Sequence, residues 1–174
     1  MCEIASEPAP WLMVDPWEAL QKEYTRTALV LDHFDHEINN IRGGIATKTG
    51  ERKHVQIALL AGADLIGTMS TPGLWSADDL NHILGRYGAF IVERLGTDID
   101  EALANLQPWK DNIHVIPQLI HNDVSSTKIR SFLRQDLSVQ YLIPAPVIKY
   151  IEEHGLYEGE TSHRRTRPED IVAS

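Results

Sequence analysis

Two rhythms of apolar residues alternate along the chain. Leu20, Tyr24, Leu31, Phe34, Ile38 and Ile41 fall at alternating steps of four and three, with Thr27 the one polar member, which is the spacing of a single buried helix stripe. Asp15-Pro-Trp-Glu18 supplies a start for it, with Asp15 as N-cap, Pro16 at the first helical position and Glu18 closing a capping box. The pattern predicts one long helix opening at Asp15, with a short strand Trp11-Leu-Met-Val14 before it. Met1 to Ala5 reads as the end of an earlier helix. Gly43 to Lys53 is Gly-rich, charged and without period, the composition of an exposed loop.

The second rhythm is continuous rather than periodic. Val55-Gln-Ile-Ala-Leu-Leu-Ala61, Ala89-Phe-Ile-Val92 and Ile113-His-Val-Ile116 are short apolar runs, as expected of strands covered on both faces. Between the first two, Ser76-Ala-Asp-Asp79 is a capping box followed by Leu80, Ile83, Leu84 and Tyr87 on one face and Gly88 as a stop. A short helix from Ile99 to Leu106 leads to the third run. A further helical segment opens at Ser125-Ser-Thr-Lys128, and a last helix spans Val147 to Glu153, ended by Gly155. Strands alternating with helices predict an α/β fold, a parallel sheet with helices on both faces.

Composition narrows the function classes. At 174 residues, 43% hydrophobic and 24% charged, the chain has the material of one globular domain, read as residues 1–157, with 158–174 a polar, solvated tail carrying Arg164, Arg165 and Arg167. The net charge of −9 argues against a general binder of nucleic acid or anionic membranes, though a local basic cluster can still hold a phosphate. The single Cys2 excludes an internal disulfide framework and any multi-cysteine zinc site. No apolar run approaches the ~18 residues of a membrane span, so a cytoplasmic or nuclear protein is expected.

In open parallel sheets, ligands collect beyond the carboxyl ends of the strands. Three places here qualify. Asn122-Asp-Val-Ser-Ser-Thr-Lys-Ile-Arg130 can begin a helix with Ser125 or Ser126 as cap, its free amides facing an anion and Arg130 and Arg134 on one side; equally, the serine only caps and the arginines only solvate the helix. Gly62-Ala-Asp64 follows the first central strand, where glycine permits close approach and Asp64 can accept from a ribose or base; alternatively the pair serves the strand exit and the next turn. Trp75 in Pro72-Gly-Leu-Trp75 and Trp17 at the head of the long helix can sandwich a flat cationic heterocycle, although Trp17 also begins the apolar stripe and suits a core position. His33 and His36 have one-turn spacing compatible with a metal, but no third ligand is evident and an exposed charged face is favoured. P-loop, Gly-x-Gly-x-x-Gly and hydrolase-elbow patterns are absent, and covalent catalysis is unsupported.

Four segments together carry a more specific signal. Trp11-Leu-Met-Val-Asp-Pro-Trp-Glu-Ala-Leu-Gln-Lys-Glu23, Leu60-Ala-Gly-Ala-Asp-Leu65, Pro72-Gly-Leu-Trp75 and Asn122 to Arg130 resemble the eukaryotic, and especially fungal, nicotinamide mononucleotide adenylyltransferases from about Trp11 to Tyr157. The resemblance implies a Rossmann-like nucleotidyltransferase fold with a parallel sheet, and transfer of AMP from ATP to nicotinamide or nicotinate mononucleotide in NAD biosynthesis. It assigns Trp17 and Trp75 to the nicotinamide ring, with Glu18, Leu20 and Leu74 lining the same pocket. Gly62 and Asp64 match positions on the nucleotide sugars, and Arg94 borders the site. Asn122, Ser126, Thr127, Lys128 and Arg130 match the motif that cradles the ATP phosphates, with Arg130 the catalytic residue. Mg2+ is expected with ATP. The expected partners are those small-molecule substrates and a second copy in a homo-oligomer, with neither nucleic acid nor membrane.

The same resemblance exposes a departure. Family members begin with a strand leading into Gly-x-Phe-x-Pro-x-His-x-x-His, whose histidines bind phosphates, and these 174 residues contain no such loop. The expectation is a C-terminal portion, incomplete at the N-terminus and inactive alone. The alternatives are a non-catalytic paralogue or partner subunit that keeps the pocket, and a general α/β nucleotide-binding domain unrelated to NAD.

Overall fold

The computed structural model describes residues 1–93, 98–120 and 122–157. They form two compact units, Pro16–Asp123 and Met1–Asp15 with the region from Val124 onward. The larger unit carries helix α2 (Thr27–Asp35, continuing as a π turn over His36–Ile41), a two-residue hairpin β1 (Ile45–Ala46) and β2 (Arg52–Lys53), then β3 (Leu59–Gly62) and α3 (Ala63–Ser70). Helix α4 (Ala77–Leu80, continuing as a π turn over Asn81–Tyr87), β4 (Ala89–Val92), α5 (Ile99–Leu103, then a 3-10 stretch Ala104–Asn112) and β5 (Ile113–Ile116) complete it. The smaller unit has α1 (Cys2–Ser6), which packs on α7 (Ala145–Glu153), and α6 (Ser126–Arg134), with Ile129, Val139, Val147 and Ile151 buried.

The sheet is parallel in the order β3-β4-β5, in register Leu59↔Ala89↔Ile113, with helices as the crossovers. This is the mixed α/β arrangement with a parallel sheet that the alternation predicts, and it is consistent with the Rossmann-like fold that the resemblance implies. Ile66, Met69, Ile83, Leu84, Ala89, Ile91, Leu106 and Ile113 form the core against one sheet face. Residues on the opposite face are more open than the expected two-sided cover: Leu60 is 68% exposed, Phe90 42% and Ile116 40%.

Several local expectations need correction. Trp11–Val14 is not a strand, and among the described residues no neighbour pairs with it; a strand of four residues has no ladder without a partner. The helix does not open at Asp15. A single 3-10 turn, Glu18–Leu20, has Trp17 as its cap residue, irregular chain follows, and the helix proper starts at Thr27. Leu20 and Tyr24 are 74% and 86% exposed, so among the described residues the first third of the apolar stripe has nothing to bury against, and a stripe without cover does not hold a helix. The predicted loop at Gly43–Lys53 contains the β1-β2 hairpin, and β3 starts four residues later than the apolar run. Arg94 and the tail 158–174 lie outside the described residues.

The stop signals hold as read. Gly88 joins α4 to β4 at φ +78, and an added Cβ would lie 2.8 Å from the Asn112 carbonyl oxygen. Gly50 has a similar φ of +82 in the hairpin, with open space around it. Gly88→Ala should therefore cost about 2 to 3 kcal/mol and Gly50→Ala about 1, read from urea unfolding of the two variants. Equal losses would show that the backbone clash at Gly88 relaxes freely.

Candidate functional site

At the carboxyl end of the sheet, β3 passes into α3 without a loop. Gly62 is the cap residue of α3 at φ −81, a conformation open to any residue, and an added Cβ there would meet nothing within 4 Å. Neither the backbone nor the packing of the described residues requires glycine at this point, which leaves open space directly over the strand end. Asp64 is exposed in the first turn of α3, where its charge complements the helix dipole.

Trp75 is delivered to the same helix by a turn. Leu74 N–H donates to the Thr71 carbonyl at 3.3 Å and Gly73 has φ +78, as Pro-Gly turns require. Trp75 follows, half-buried against the core, and its indole N–H donates to Thr68 Oγ1 at 3.1 Å. Asp64 and Thr68 are four apart and share one side of α3, so the Trp75 ring is pinned on the side of α3 that carries Asp64. Leu74 remains 62% exposed beside it. Ser76 then caps α4, accepting from Asp79 N–H at 3.0 Å, as its sequence pattern predicts.

Trp17 is not a core residue. It is half-buried outside the core cluster, and its ring stacks on His33 of α2 with centroids 4.3 Å apart and planes 6° from parallel. His36, the other member of the candidate metal pair, is 3.3 Å through Nδ1 from the Asn40 amide. Among the described residues no group of three His, Cys, Asp or Glu side chains is placed to hold a metal. Glu18 and Leu20 are exposed on the short turn after Trp17.

In the smaller unit, Ser125 is the cap of α6, its Oγ accepting from Lys128 N–H at 3.2 Å. That settles the choice between Ser125 and Ser126. Ser126, Thr127 and Lys128 are exposed in the first turn, and Arg130, half-buried, stands one turn beyond Ser126 on the same side. Ile129 is buried on the other side. Such a terminus, with backbone donors and a guanidinium on one side, suits an anion of several oxygens. Asn122 is exposed at the end of the larger unit.

Sequence reasoning missed one polar cluster altogether. Asp32 accepts from the Tyr87 hydroxyl at 2.5 Å, lies 2.8 Å from His82 Nε2, and pairs with Arg86 at 3.3 Å, while Arg86 also reaches Asp35 at 3.0 Å. Burial raises the Asp32 carboxyl pKa, but the hydrogen bonds from Tyr87 and His82 and the charges of His82 and Arg86 outweigh it and hold it below the ordinary carboxylate value. Burial first, then the Asp32 carboxylate, push the Tyr87 phenol well above its own. The cluster ties α2 to α4. Buried Asn39 extends the tie to the chain before β3, donating to Asp35 at 2.7 Å and exchanging two 2.8 Å hydrogen bonds with the Val55 backbone. No periodicity marks such residues in advance, because their partners on other elements lie 16 to 55 positions away.

No family model matches the chain. Individual proteins do. The Saccharomyces cerevisiae nicotinamide/nicotinic acid mononucleotide adenylyltransferase 1 is 56% identical over 165 residues, covering 92% of this chain and 41% of the yeast protein. The Schizosaccharomyces pombe nicotinamide/nicotinic acid mononucleotide adenylyltransferase is 53% identical over 161 residues, 90% of this chain and 44% of its own length. The Bos taurus nicotinamide/nicotinic acid mononucleotide adenylyltransferase 1 is 35% identical over 195 residues, covering 94% of this chain and 69% of the bovine protein. The chain thus spans less than half the length of the fungal relatives and about two thirds of the bovine one.

Proposed function

We propose, from the premise that this chain belongs to the nicotinamide/nicotinic acid mononucleotide adenylyltransferase family, that it forms the substrate-binding part of an enzyme transferring AMP from ATP to a pyridine mononucleotide. The observation that carries the reading is the 53% to 56% identity to the fungal enzymes over at least 90% of this chain. Residues 1–157 are read as one nucleotidyltransferase portion. Its substrates are ATP and nicotinamide mononucleotide, with nicotinate mononucleotide as the variant that the relatives' names include.

In the reaction, a phosphate oxygen of the mononucleotide attacks the α-phosphorus of ATP, a P–O bond to the leaving group breaks, and NAD and pyrophosphate result. No protein nucleophile is required; the protein's work is positioning and charge neutralisation. Trp17 and Trp75 would hold the cationic pyridine ring, with Glu18, Leu20 and Leu74 at its edges. Gly62 lets a nucleotide sugar approach the β3 end closely, which the unfilled space over its Cα supports, and Asp64 accepts from sugar hydroxyls. Arg94 is assigned to the same border. Asn122, the exposed first turn of α6 at Ser126, Thr127 and Lys128, and Arg130 would take the ATP phosphates. Mg2+ would come as part of the ATP substrate complex and neutralise its phosphates. The net charge of −9 favours neither nucleic acid nor anionic membrane as a partner, and no helix among the described residues is long and apolar enough to cross a membrane. A homo-oligomer in the cytoplasm or nucleus completes the reading.

The test uses the chain co-expressed with the part of the S. cerevisiae relative that precedes the matched region. In that assembly Trp75→Ala should weaken mononucleotide binding by about 1 to 3 kcal/mol while ATP affinity stays nearly unchanged, measured by calorimetry. Equal losses for both substrates would sink the assignment of Trp75 to the ring.

A further inference from the structure

Trp17 is placed unusually for a side chain that has to present a flat face. It lies on a single 3-10 turn whose start carries no side-chain cap, joined to α2 by irregular chain, and it stands outside the core cluster. His33 is different. It belongs to α2, whose Ala28 and Leu31 are 4% and 6% exposed in the core, and its ring also meets Phe34 edge-on at 5.6 Å. The imidazole is thus anchored through its helix, and the indole lies flat on it at 4.3 Å and 6°.

We propose that His33 is a positioning residue for the pyridine-ring site: it backs one face of Trp17 and so holds the other face ready for the cationic ring of the mononucleotide. This rests on the assignment of Trp17 to that ring. An indole has two faces, and the near-parallel imidazole lies over part of one of them. A ligand that meets a ring already held in plane loses less side-chain freedom on binding, and the benefit falls on mononucleotide affinity alone. Imidazole suits the task because it is flat and short enough to stand on a helix without reaching past the indole.

The experiment titrates nicotinamide mononucleotide, and separately ATP, into the full chain carrying 15N-labelled tryptophan, following the indole N–H signals by NMR. His33→Ala should raise the mononucleotide Kd about three- to tenfold, leave ATP affinity and the thermal midpoint in place, and broaden or shift the Trp17 signal before any ligand is added. His33→Phe, which restores a flat ring, should return the Kd to within about twofold of the unaltered chain. Tighter binding by His33→Ala would mean that the imidazole occupies the ligand's own face, and an unchanged Kd would mean that the stack is idle; either result overturns the proposal. Trp17→Ala separates this from the underlying reading. If it weakens binding while His33→Ala does not, only the role of His33 falls. If it leaves binding intact, or if the unaltered chain shows no saturable binding, the assignment of Trp17 to the ring falls, and the proposal with it.

Discussion

Assayed alone with ATP and nicotinamide mononucleotide, the 174-residue chain should form no NAD above background, a deficit of at least about ten-thousandfold relative to a completed enzyme. The physical ground is the phosphate cradle. The first turn of α6 and Arg130 can neutralise part of the charge on a transferring phosphate, but the histidine loop of the family pattern does not occur in these 174 residues. Single preorganised donors at such a centre are commonly worth about a hundred- to a thousandfold, and two histidines would be missing together. Co-expression with the preceding segment of the S. cerevisiae relative should restore NAD synthesis, followed by coupled absorbance at nicotinamide reduction. NAD formation by the chain alone, with no copurifying host enzyme, would refute this. The chain alone should also self-associate, because Leu60, Phe90 and Ile116 expose one face of the sheet.

In the completed assembly Arg130→Ala should lower kcat by about a hundred- to a thousandfold, with the mononucleotide KM changing less than about threefold. Arg130 stands one turn beyond Ser126 on α6, half-buried beside the exposed first-turn residues, where a guanidinium can meet phosphate oxygens that the backbone donors also face. Negative charge on the departing pyrophosphate grows as the P–O bond breaks, so the cation is worth more at the transition state than in the ground state. Steady-state kinetics with each substrate varied in turn reads the split. An unchanged kcat would make Arg130 an ordinary surface residue of α6, and a loss confined to KM would make it a binding residue only. Arg134, one further turn along and exposed, is the control whose substitution should change little.

The chain's local signals carried much of this. Three short apolar runs became β3, β4 and β5; Ser76 and Ser125 cap the helices their patterns mark; Gly88 and Gly155 end helices at positive φ. Each depends on a few neighbouring residues, a hydroxyl three positions from an amide or a glycine that tolerates a left-handed turn, and such interactions look much the same in any tertiary setting. The Ser125 to Arg130 and Trp75 segments were legible for the same reason, since their residues are contiguous.

What lay beyond the sequence was decided by cover and by distance along the chain. The stripe from Leu20 to Ile41 has helical spacing throughout, yet it is a continuous helix only over Thr27–Ile41, with Leu20 on a separate 3-10 turn, because a stripe forms a helix where something packs on it, and Leu20 and Tyr24 face solvent. That break lets Trp17 meet His33. On the continuous helix that the periodicity predicts, Trp17 and His33 would stand about 24 Å apart, 16 residues at 1.5 Å each. In the structure the chain between them turns back and their rings stack at 4.3 Å. The hold of Thr68 on Trp75 and the cluster of Asp32, His82, Arg86 and Tyr87 belong to the same class: contacts between elements, which exist only once the helices are docked and for which no residue spacing stands as a signal.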